Sequence, residues 1–161
     1  MANYTGADVI TASDVTKYQP DAFEFGLASG STEVLNFLAQ TTNDILRQLR
    51  IEWWPVYKTN VFTDITVLNT AEMVNTKVNL DQFERAGVYL FLGRFYLPAL
   101  TKFRPETEKD RFERMAEYYM SQYNMEWRMI LEDGVEYDVD SSGTIVSNER
   151  EPLHGFRRLT R

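Results

Sequence analysis

The residues of this chain best suited to chemistry lie between Asp138 and Glu149, in the run DVDSSGTIVSNE. Their oxygens fall where a twelve-residue calcium loop needs them. Asp138 and Asp140 stand at positions 1 and 3, Ser142 at 5, Gly143 at 6, Thr144 at 7 and Glu149 at 12. A hard cation takes six to eight oxygens, the glycine permits a sharp turn, and the last glutamate adds two oxygens from the far side. The flanks argue otherwise. Gly134 breaks the incoming helix before the loop, Pro152 obstructs an outgoing one, and no second loop of this kind is present to pair with it. The same residues also read as a hairpin. Val135, Tyr137 and Val139 alternate with Glu136, Asp138 and Asp140, Ser141-Ser142-Gly143 turn, and Thr144-Ile145-Val146 return. Residues 135–147 are thus either a hairpin or a calcium-like loop. No cofactor is expected unless the second reading holds, and then it is calcium.

Catalytic groupings are absent. The single histidine, His154, stands beside Gly155 with no triad-like company, and reads as a surface or docking residue. Glu113 and Glu117 lie one helical turn apart, as paired carboxylates would, but without histidine ligands or a second carboxylate-bearing helix they read as a solvated face. There is no GxxxxGK loop and no dinucleotide fingerprint. With no cysteine, a thiolate zinc site, a disulfide framework and a cysteine nucleophile are all excluded, and a reducing compartment is expected. The expectation is a protein that is not an enzyme.

The elements that must carry these residues are set by length and pattern. At 161 residues with 43% apolar and 14% aromatic residues, the chain is expected to form one globular domain. The net charge of −7 disfavours nucleic-acid binding as the main role. The charge is uneven. Arg150, Arg157, Arg158 and Arg161 against Glu151 give residues 150–161 a local +3, which leaves −10 on residues 1–149. The N-terminus, MANYTGADVITASD, lacks the basic and apolar regions of a signal peptide.

The stretch Asn79 to Leu100 reads as a central buried helix. Arg94 is the one charge between Ala86 and Leu100. Asn79 and Gln82 have the spacing of a capping box, with Val78 and Phe83 as the staple. Its apolar residues go round most of the helix, so neighbours must cover it on several sides. Glu84, Arg85, Arg94 and Pro98 leave the uncharged run well short of the ~20 residues a bilayer needs, so no membrane span is expected. A lone arginine there must snorkel out, find a carboxylate, or pair with a neighbouring subunit.

A first long helix is predicted from Ser31 or Thr32 to about Trp53, on Leu35, Leu38, Ala39, Thr42, Ile45, Leu46 and Leu49, with Asp44 paired to Arg47 or Gln48 and Pro55 as the stop. A third is predicted from near Pro105 to Asp133-Gly134, with Phe112, Met115, Ala116, Tyr119, Tyr123, Trp127, Ile130 and Leu131 inward. Lys109, Asp110, Glu113, Arg114, Glu117, Asn124 and Arg128 face outward. Tyr118, Met120 and Met125 lie off that inward stripe and, with Arg94, are candidates for a subunit interface. Residues 1–30 look irregular, with Phe23, Phe25 and Leu27 forming a short strand or clamping onto their own fold. Residues 56–78 show no clear period, though Val61, Ile65, Val67 and Leu68 favour a strand or short helix. The fold class is therefore mainly α: three long helices in a bundle, a short C-terminal β-hairpin and an extended C-terminal arm, with 1–149 as one domain and 150–161 as the arm.

The run ERAGVYLFLGRFYLPALTKFRPETEKDRFERMAEYYMSQYNMEWRMILEDGVEYDVDSSGTI resembles the head-to-tail adaptor (head completion, or connector) proteins of tailed bacteriophages. Its carriers are an RA-x-x-YL-x-L helix, from Arg85 to Leu92, and a DRF-x-R-x-x-x-YY-x-x-x-Y helix, from Asp110 to Tyr123. Asp44 to Pro55, DILRQLRIEWWP, is similar to the end of that family's first long helix. The resemblance implies a virion protein of the neck, made in the host cytoplasm, whose copies form a ring, dodecameric in that family, between portal and tail. Genomic DNA would cross the lumen without specific binding, and no membrane is involved. It also implies a C-terminal arm that reaches the portal protein, carried here by Leu153, Phe156, Arg157, Arg158, Leu159 and Arg161, while the opposite face meets tail or neck proteins.

Overall fold

The first long helix begins where the sequence offers a cap. The Ser31 hydroxyl accepts the Val34 N–H at 3.3 Å, and α2 runs Thr32–Glu52. The computed structural model describes residues 8–24, 26–101, 111–144 and 149–151. In chain order its elements are α1 (Ala12–Tyr18), α2, α3 (Trp54–Val61), α4 (Ile65–Thr70), α5 (Glu84–Leu90), α6 (Leu97–Leu100), α7 (Arg111–Asp133), β1 (Val135–Glu136) and β2 (Arg150–Glu151). The protein is mainly helical. The described residues divide into two compact units, one of residues 8–45 with 83–127 and a second of 46–82 with 128–151.

In the first unit, Val34, Leu38, Thr41, Thr42 and Ile45 are the inward positions of α2. The expected stripe is displaced by one residue at its start, since Leu35 and Ala39 are exposed. Thr41 can be buried because its hydroxyl donates to the Phe37 carbonyl at 2.8 Å.

Against α2 lies the expected central helix, which is helical from 80 to 100 but not uniform. A 3-10 turn over Leu80–Phe83 leads into α5, a π-helical segment over Phe91–Tyr96, and α6. Each residue that a π turn adds rotates the rest of the helix by roughly 100°. This is why the apolar positions past Ala86 leave a single face, with Phe91, Leu92, Tyr96 and Leu97 all buried. The turns approach their neighbours closely: a Cβ on Gly87 would stand 2.8 Å from Ile10 Cγ2, and one on Gly93 would stand 2.9 Å from the Met120 backbone nitrogen.

The N-terminal stretch expected to be irregular contains α1, opened by a capping box between Thr11 and Asp14. Only Val15 of this helix is buried, which is too little to leave a periodic signal. Phe23 sits in a 3-10 turn with its ring 5.5 Å from Tyr96 and 6.5 Å from Phe91, so it clamps its own fold and forms no strand; Phe25 lies outside the described residues. The Tyr96 hydroxyl donates to the Ala22 and Leu27 carbonyls at 2.7 and 3.1 Å, tying that turn down.

As expected, α2 ends ahead of Pro55, at Glu52. In the second unit Pro55 then stands in the first turn of a further helix, α3, where its missing N–H costs nothing. The rings of Trp53, Trp54, Tyr57 and Tyr137 meet with centroids 4.5–6.0 Å apart, which makes the Trp pair a central anchor of this unit. Residues 56–78 are ordered around it. The Trp54 indole N–H donates to the Ala71 carbonyl at 3.3 Å, and the Tyr137 hydroxyl accepts the Val74 N–H at 3.1 Å. Between them α4 buries no residue, hence the absent period.

The hairpin pairs differently from expectation. β1 is antiparallel to β2, Val135 opposite Glu151 and Glu136 opposite Arg150, and on its other side Tyr137 bridges Val78. The returning segment is thus 150–151, with 144 in the turn and 145–148 outside the described residues. Arg150 and Glu151 therefore belong to the ladder, and a boundary at 149/150 would cut it. The Asn79–Gln82 capping box does not form either. Gln82 donates to the Gly134 carbonyl at 2.7 Å and accepts the Glu136 N–H at 3.1 Å, while the Asn79 amide donates to Glu136 at 2.6 Å. The end of α7 claims Gln82, while Asn79 keeps one local cap bond, its Oδ1 accepting the Asp81 N–H at 3.3 Å.

Candidate functional site

Three acids of the loop come together. Carboxylate oxygens of Asp138, Asp140 and Glu149 all lie within 4.8 Å of one another. The ladder positions them. The Tyr137 N–H donates to the Glu149 carbonyl at 3.0 Å and the Asp138 N–H to the Lys77 carbonyl at 2.9 Å, so both ends of the loop are held. Asp138 and Glu149 are 4% and 3% exposed, yet both carboxylates are supplied with donors. Asp138 accepts the Ser142 N–H at 3.0 Å and the Gly143 N–H at 2.8 Å; Glu149 accepts the Val139 N–H at 2.9 Å. Asp140 is exposed, and the hydroxyl and N–H of Ser142 hold its carboxyl below the usual carboxylate range. The turn uses left-handed backbone at Ser141 (φ 61°) and Gly143 (φ 74°). Oxygen donors without histidine or cysteine suit a hard cation. Ser142 and Thr144, the other two expected ligands, are exposed and bonded to each other: the Ser142 hydroxyl donates to the Thr144 carbonyl at 3.1 Å.

The four interface candidates separate. Tyr118 and Met125 are 59% and 58% exposed on α7. Met120 is half-buried, its Cγ and sulfur facing the space over Gly93, so it already serves the interior of the first unit. Arg94 turns outward. Its Nε lies 3.5 Å from Asp44 Oδ2 and its guanidinium sits 5.9 Å from the centre of the Phe95 ring. The lone charge thus finds a carboxylate within the chain, on α2, while its head stays largely in solvent. Met129, exposed on the same helix at 46%, was missed, although its spacing from Met125 is the signal that finds it.

The two helices that carry the resemblance meet within the first unit. The Arg85 Nε lies 3.6 Å from Glu126 and donates to the Tyr89 hydroxyl at 3.1 Å. The Tyr89 ring lies 6.0 Å from Tyr119 and Phe83 5.8 Å from Trp127. Glu113 and Glu117 are exposed on α7, as a solvated face requires. Lys109, Asp110 and Pro105 lie outside the described residues, as do Leu153, His154, Phe156, Arg157, Arg158, Leu159 and Arg161. Among the described residues no helix is long and apolar enough to cross a membrane. No protein-family model matches the chain, and neither a curated protein nor a solved structure matches it significantly.

Proposed function

We propose that this chain is a structural protein, not an enzyme: a head-to-tail adaptor of a tailed bacteriophage, a helical-bundle protomer whose copies form a ring between portal and tail. The observation that carries this is the resemblance of Arg85–Leu92 and Asp110–Tyr123 to that family. The approach of the Tyr89 ring to Tyr119 supports it, because both residues are named by the motifs and join the two helices, and Arg85 of the first motif adds an ion pair to Glu126, one turn beyond the second. Tyr118 and Met125, exposed and aromatic or thioether in character, suit a contact between copies. An acidic body suits a lumen that conducts DNA, since like charge keeps the duplex off the wall. The arm then adds main-chain and arginine contacts to the portal.

The pairing of β2 sharpens the test. Deleting 152–161, and not 150–161, spares the ladder. The shortened chain is expected to keep its melting temperature while losing association with its portal protein in sedimentation and in class-averaged electron micrographs. Retained association would remove the arm from the interface.

The convergence of Asp138, Asp140 and Glu149 favours a second reading, a calcium-binding interaction module. Calcium at about one hundred times its dissociation constant would then stabilise the fold by about 2.7 kcal/mol. The rise in melting temperature should vanish in Glu149→Gln; no rise in the unaltered protein at millimolar calcium would end this reading.

A further inference from the structure

We infer that the groove beside Trp54 in the second unit is a docking site for a short acidic segment of a partner protein. The groove is open, about 500 Å3 in volume, and lined by Arg50, Trp54, Lys58, Ala71, Glu72 and Met73. Its deepest side chains are apolar, Trp54 and Met73 being 5% and 6% exposed. The Trp54 indole N–H is already given to the Ala71 carbonyl, so the ring offers the groove an apolar edge.

Charge decides the occupant. Lys17, Arg85, Arg94 and Arg150 each have an acid within 4 Å. Arg50 and Lys58 have none among the described residues; Arg50 donates only to the neutral Asn75 carboxamide, at 3.0 Å. In a chain of net charge −7, two cations with no acid within 4 Å, beside the edges of Trp54 and Met73, attract carboxylates, and an arginine binds one with two parallel hydrogen bonds. A nucleic-acid backbone fits less well. It needs a row of cations to release its counterions, and Glu72 lines the same groove. The occupant is therefore a peptide whose acids meet Arg50 and Lys58 and whose aliphatic side chain rests on Trp54 and Met73. This goes beyond the adaptor reading and stands without it.

The test uses the full chain and a labelled peptide, acetyl-Glu-Asp-Leu-Glu-Asp-Leu-amide, followed by fluorescence anisotropy. Its lysine-for-acid counterpart and a short oligothymidylate serve as rivals. The acidic peptide should bind, lose about tenfold in affinity with Arg50→Glu/Lys58→Glu, gain about threefold with Glu72→Gln, and weaken as salt rises. Arg50 is exposed and Lys58 half-buried, and the single Lys58→Gln carries the test should the double variant unfold. Failure of the acidic peptide to bind, indifference to these substitutions, or equal binding of either rival would overturn the assignment.

Discussion

Replacing Gly93 by alanine is expected to destabilise the protein by about 3 kcal/mol, although the change adds a single methyl group. That methyl would stand 2.9 Å from both the backbone nitrogen and Cγ of Met120 and 3.0 Å from its sulfur. A side chain can swing away, but the Met120 nitrogen moves only with α7. Gly87 is the second close approach. There the nearest atoms are Ile10 Cγ2 at 2.8 Å and Val9 Cγ1 at 2.9 Å, methyls of two buried, β-branched side chains that are stiff at χ1, while alanine recovers about 1 kcal/mol of helix propensity. Gly87→Ala should therefore cost about 1–2 kcal/mol by urea unfolding, less than Gly93→Ala because no backbone atom is struck. Adding Met120→Ala to Gly93→Ala removes the thioether and leaves the nitrogen, so stability should return only in small part. Full recovery would show that the approach rests on the side chain alone.

A second large effect is expected at Tyr137. Its ring lies 5.4–5.7 Å from those of Trp53, Trp54 and Tyr57, and its hydroxyl accepts the Val74 N–H. Tyr137→Ala should cost about 4 kcal/mol, since a buried aromatic is lost between three others on a strand flanked on both sides. Tyr137→Phe keeps the rings and forfeits one bond to an N–H that is left part-buried, about 1 kcal/mol. Equal losses for the two variants would mean that the hydroxyl, and not the ring cluster, holds residues 56–78 to β1.

The long-period features were legible because they repeat. Ala116, Tyr119, Tyr123, Trp127, Ile130 and Leu131 are buried as their spacing required, and Gly134 ends α7 with φ 100°. What escaped was set by contacts distant in sequence. Gln82 looks like a local cap but serves Gly134 and Glu136, more than fifty residues on. β1 looks ready to pair with its own turn yet takes residues 150–151. The π segment has no local signature; its trace in the sequence was an apolar pattern that would not stay on one face. At the loop, the acids at positions 1, 3 and 12 announced their meeting, whereas Arg50, Lys58 and Met73 became neighbours only through the fold.

Both units are discontinuous in sequence, and they interleave: 8–45 needs 83–127, and 46–82 needs residues through 151. During synthesis the N-terminal segment must therefore wait several seconds for its counterpart, at about 5–20 residues per second. Val9, Ile10, Val34 and Ile45, all buried at the end, stay uncovered in that interval. The ladder that closes the second unit needs Arg150 and Glu151, more than sixty residues beyond Gln82. The second unit thus closes only after those residues have been made, which gives the nascent protein a long period in which chaperones can reach it.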